Sequence, residues 1–168
     1  MRTLLIPAVR LIVLFFLGLS ISGCPVALPY PLTETPEPLD PTLLGTWVAQ
    51  SEEAEIQEVA FTKKNNTTYT VEVLKQGAFY AAEGVDFEAQ ITRFEGRSIL
   101  ISRSVDAPDE GWFHYDVSVK GDVLVVHDVS LLVGGMDAVT STQALRKELA
   151  ASLKNPECLT GELVYDRK

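Results

Sequence analysis

Outside the N-terminal thirty residues, few side chains in this chain suit chemistry: two histidines, one cysteine and one arginine set within an apolar run. His127 lies in VLVVHDV and alternates with Val123, Val125 and Val129, which predicts an apolar strand face shared with Tyr115 across a hairpin. Two readings stand for it: contact with a polar group of a ligand, or a core histidine satisfied by Tyr115 or a backbone carbonyl. His114 is predicted on the opposite face, across from Asp128 and near Asp116. An imidazole with two carboxylates is a thin metal set with no second histidine or thiolate beside it, so a surface cross-strand pair is preferred. Arg103 sits mid-strand in SILISRSV. A guanidinium on an apolar face must find an acid, the rim or a ligand, because unpaired burial is costly. In a barrel it would suit a carboxylate or phosphate headgroup; otherwise it pairs with one of the many acids. Cys158 has no basic neighbour to lower its pKa and reads as a partly buried, inert thiol rather than a nucleophile or an intermolecular disulfide. No G-x-S-x-G, H-E-x-x-H, C-x-x-C or P-loop is present, so the reading is non-enzymatic, with no metal and no cofactor.

The elements that must position these residues are β-strands. From Leu43 onward the local pattern is mostly period two. Three hairpins are predicted: EIQEVAFT to TYTVEVL, VDFEAQITRF to SILISRSV, and WFHYDVSV to VLVVHDV. Gly96 and Gly121 suggest three-residue loops with glycine in the left-handed region. That register sets Phe94 opposite Ser98 and Val119 opposite Val123. It gathers Phe87, Ala89, Ile91, Ile99, Ile101 and Arg103 on one face, and Phe113, Tyr115, Val117 and His127 on another. TSTQALRKELAASL reads as a helix capped by Ser141 or Thr142, with Leu145, Leu149 and Leu153 on one stripe and Asn155-Pro156 ending it. GELVYDRK reads as a closing strand. The expected fold is mainly β, an antiparallel meander or barrel of about eight strands with one late helix.

LLGTWV, with Gly45 and Trp47, resembles the G-x-W of the lipocalin and calycin group at the first barrel strand. The resemblance implies that Trp47 packs across one end of a barrel. It implies a ligand site inside, with Arg103, His127, Tyr115 and Trp47 as candidate contacts. The resemblance covers residues 43–168 in outline, with the helix set late.

The N-terminus answers a different question. Residues 1–23 carry Arg2 and Arg10 and no acid, and residues 11–19 are apolar. At ~1.5 Å per residue, that run is too short for a ~30 Å hydrocarbon core and fits the layout of a secretory signal peptide. The ISGC that follows resembles the lipobox of bacterial lipoproteins, which implies cleavage before Cys24 and acylation of that residue. Pro25 stands where an inner-membrane retention signal would place Asp, which favours the outer membrane, facing the periplasm. Residues 24–42 hold six prolines and read as an extended tether, so the folded domain is expected over 43–168.

Charge limits the partners. The 168-residue chain has a formal net charge of −9, and beyond residue 23 it holds 12 Lys plus Arg against 23 Asp plus Glu. Such a surface repels phosphate backbones and argues against nucleic acid. The expected partners are a membrane through Cys24, a small apolar or acidic ligand in the barrel, or, if side chains fill the barrel, an envelope protein.

Overall fold

The computed structural model describes residues 27–77 and 86–168. Cys24 and the preceding signal-like residues lie outside them. Eight strands follow one another around a closed antiparallel barrel: β1 (Gly45–Ala49), β2 (Ile56–Lys63), β3 (Tyr69–Gln76), β4 (Asp86–Phe94), β5 (Arg97–Ser104), β6 (Phe113–Lys120), β7 (Val123–Val129) and β8 (Leu159–Arg167). β8 closes on β1 through Trp47, Val48 and Ala49. Closure removes free sheet edges, which otherwise invite aggregation. Helix α1 (Thr142–Ser152) falls between β7 and β8, with Ser141 accepting from the Ala144 N–H as its N-cap. The expected fold class, late helix, cap and closing strand are all present.

Two hairpin loops differ from expectation. Phe94 pairs with Arg97 and Lys120 with Val123, so each loop has two residues rather than three. Glu95 and Gly96 both have positive φ (50° and 77°), and Gly121 has φ 62° at the first loop position. These are the conformations of primed turns, whose twist matches that of the flanking strands. The one-residue change moves half of each hairpin to the other face. Ala89, Ile91, Leu100 and Ser102 therefore point inward, while Ile99, Ile101 and Arg103 point outward. Likewise Tyr115, Val117, Val126 and Asp128 share the inner face, and His114, Asp116 and His127 share the outer one.

Ile99 and Ile101 can face outward because a second apolar layer covers them. Leu145 and Leu149 of α1 bury against them with Phe94, Leu28, Leu32 and Cys158. Leu28 and Leu32 belong to the proline-rich stretch, which lies on the barrel rather than standing free of it. Leu28 and Trp112 exchange two backbone hydrogen bonds of 2.8 Å each. Further along, the Glu37 N–H donates to the Ile91 carbonyl (3.3 Å), and the Glu37 carboxylate accepts from the Arg93 N–H (2.5 Å). β3 pairs with β4 only as far as Ala89, so Glu37 satisfies the part of β4 that β3 leaves open. The segment then reaches Tyr69, whose hydroxyl accepts from the Asp40 N–H (2.7 Å). Among the described residues, both apolar layers are built from residues between Leu28 and Tyr165, and β8 closes the barrel on β1.

Candidate functional site

The two ends of the barrel are built differently. Connections 64–68, 95–96 and 121–122 are short and share one end with the approach to β1. Trp47 plugs this end. It is fully buried and donates its indole N–H to the Leu43 carbonyl (2.9 Å). The Arg167 guanidinium stacks on its ring at 4.1 Å and donates to the Leu44 (2.6 Å) and Thr42 (2.8 Å) carbonyls. Gly45 has φ 127°, and a Cβ there would sit 2.8 Å from Arg167 Nη1. Both members of the G-x-W are therefore fixed by this plug, one by fit and one by packing.

Among the described residues, the other end opens into a cavity of about 660 Å³ inside the barrel. Its walls are apolar, with Val59, Phe61, Val71, Phe87, Leu100 and Val126 among them. Polar groups gather near the mouth: Tyr115, Tyr165 and Asp128 on the strands, and Glu53, Glu55 and Glu157 on the connections. A bulge shapes this region. Val126 pairs with Leu163 and Asp128 with Thr160, so Gly161 and Glu162 together face His127. Gly161 has φ 60°, and a Cβ there would lie 2.8 Å from Asp128 Oδ2. The glycine makes the bulge possible and leaves room for the carboxylate. Burial, reinforced by Glu55, pushes the Asp128 carboxyl above its ordinary range. Burial and then Asp128 raise both tyrosines, Tyr165 to about 12.

Of the expected contacts, Tyr115 lines the cavity and Trp47 forms the plug at its closed end. Arg103 and His127 are not among the described lining residues. Arg103 stands outside, pairs with Glu88 at 3.2 Å and stacks on Trp112 at 4.8 Å. Glu88 also pairs with Lys64, and these contacts lower its pKa. His127 stands outside with Nε2 3.3 Å from Glu162. His114 is not a surface pair. It is 5% exposed, and neither ring nitrogen has a hydrogen bond of ordinary geometry. Burial pushes its pKa down to about 4, the Trp112 backbone offsetting this only in part. Cys158 is buried in the outer layer with its thiol 2.9 Å from the Ser130 carbonyl, and burial pushes its pKa up. Among the described residues no group of three His, Cys, Asp or Glu could hold a metal ion, and no helix is long and apolar enough to cross a membrane.

Asp128, Tyr165 and Arg167 are site residues that the sequence pattern missed. The signal for Asp128 was the two-residue loop, since that register sets it opposite Tyr115 on the inner face. Comparison with protein-family models, with curated proteins and with solved structures finds no match. The eight-stranded closed barrel with one late helix is consistent with a calycin-like fold, and such a barrel is compatible with ligand binding.

Proposed function

We propose that the barrel binds a small, mostly apolar ligand in its interior, as a carrier or sensor rather than an enzyme. The observation that carries this reading is the cavity of about 660 Å³, apolar-walled, plugged at one end and, among the described residues, open at the other. Small-molecule sites are concave and mainly apolar with a few placed polar groups, in this size range. The same cavity favours an open barrel over one filled by its own side chains. The proposal includes lipid attachment at Cys24 and a place in the bacterial envelope, at the outer membrane facing the periplasm; its support is the ISGC sequence.

The test is titration of the chain from Pro25 onward with a neutral naphthylamine probe whose fluorescence rises in apolar surroundings. One saturable site is expected, lost in the cavity-filling variant Val126→Trp while the far-ultraviolet dichroism is unchanged. Absence of saturable binding, or binding indifferent to the filled cavity, would overturn the reading.

A further inference from the structure

The charge at the mouth narrows the ligand class, and this step rests on the cavity reading above. Among the described residues lining the cavity there is no Lys, Arg or His, whereas Glu53, Glu55, Asp128 and Glu157 all reach it. The expected carboxylate-binding arginine faces the other way. An acidic ligand would thus enter a cavity with four carboxylates around it and no described cation to meet it.

A cluster of acids is ordinarily no more than a solvated surface. Here two tyrosines beside them, and the setting of Asp128 itself, argue otherwise. Tyr165 is 4% exposed, lines the cavity, and its hydroxyl makes no hydrogen bond among the described residues. Tyr115, partly buried, also lines the cavity, and its hydroxyl makes no hydrogen bond among the described residues. The half-buried Asp128 carboxylate has neither a hydrogen bond nor an ion pair there. Polar groups inside a protein normally find partners, and oxygens that line a cavity without a protein partner are free to bond a ligand there. Exposed Glu52, Asp106 and Asp109 on the connections of the same end add charge of the same sign, against Lys75 at the end of β3.

We propose that the ligand is a cationic amphiphile, with an ammonium group seated between Asp128 and the hydroxyls of Tyr115 and Tyr165 and its apolar body down the barrel. An ammonium offers donors to all three oxygens, and charge-assisted bonds of this kind are the strong ones. Gly161 keeps the approach to Asp128 free of a side chain.

The experiment is displacement of the neutral naphthylamine probe from the chain starting at Pro25 by dodecylamine, dodecanol and dodecanoate, the two charged ligands below their micelle concentrations and the alcohol below its solubility limit. These share an apolar body and differ in head charge. The amine is expected to bind at least roughly tenfold more tightly than the carboxylate, with the alcohol between them. Asp128→Asn should weaken the amine by about tenfold and leave the alcohol within about twofold. The ranking on the unaltered chain stands whether or not that variant folds. If the alcohol or the carboxylate binds as tightly as the amine, the cationic head is wrong while the cavity reading survives. If neither probe nor any of the three ligands binds, the cavity reading itself fails and this inference falls with it.

Discussion

Arg167 serves four groups from one guanidinium: the Trp47 ring, the Leu44 and Thr42 carbonyls, and the Asp122 carboxylate at 3.2 Å. The Asp122 contact is exposed to water and contributes little. The ring and the two carbonyls matter more, because they hold the plug against the barrel end. Trp47→Ala is expected to destabilise the fold by about 3–5 kcal/mol, and Arg167→Ala by about 1–3 kcal/mol. Urea denaturation of both variants measures this; equal effects would mean that Trp47 holds its place by closure and not by its own bulk. At this scale the sequence is legible for Trp47 and opaque for Arg167. A tryptophan after a turn glycine announces a packing role, whereas an arginine one residue from a chain end looks like any solvated charge. Asp128 is hidden for a different reason. It follows His127 in a valine run, and alternation alone leaves open which of the two faces inward until the loop length is known.

Helix α1 contributes more than its leucine stripe. Glu148 is buried, and its Oε1 accepts the N–H groups of Val133 (2.9 Å), Gly134 (2.8 Å) and Gly135 (3.3 Å), with the Ser152 hydroxyl at 3.3 Å. Burial alone would raise this carboxyl, but those donors outweigh it and hold the pKa below the ordinary value. A depressed folded-state pKa means that the stabilisation is complete above the ordinary carboxyl range and is lost as pH falls through the folded value. Glu148→Gln is expected to cost about 1–3 kcal/mol at neutral pH, with the gap to the unaltered chain closing below about pH 4. Urea unfolding at pH 7 and pH 3 checks it; a gap of the same size at both would rule out the carboxylate as the source. The helix itself is legible, since Leu145 and Leu149 recur at a four-residue spacing behind a serine cap. The neighbouring hairpin register is not. β5 is apolar on both faces, with Leu100 toward the cavity and Ile99 and Ile101 under the helix. A pattern rule that seeks one apolar face per strand has nothing to choose between there.

For the whole molecule, the boundary between tether and domain falls earlier than the prolines suggest. Proline excludes regular helix and interior strand, but it does not prevent an extended segment from burying the residues between. Leu32 is fully buried, Leu28 nearly so, and the Arg146 side chain, stacked on Phe94, donates to the Leu32 carbonyl at 3.1 Å. A chain starting at Leu43 is therefore expected to lose several kcal/mol relative to one starting at Pro25, since removing a buried leucine side chain alone costs about 2–5 kcal/mol. It should also bind apolar dyes on its outer surface. Thermal melts of the two forms decide this, and matching midpoints would show that the segment rests on the barrel without supporting it.

The place where that segment first docks has a consequence for supply. Leu28 pairs with Trp112, which stands just before β6 at the open end of the barrel. With Cys24 carrying lipid, the four steps to Leu28 span at most about 14 Å. The opening would then hover at the headgroups instead of projecting into the aqueous compartment. An amphiphile could pass between bilayer and barrel without crossing open water, and occupancy would follow its mole fraction in the lipid rather than its free concentration. The bilayer would then be the reservoir, and the short leash would set the distance over which exchange takes place.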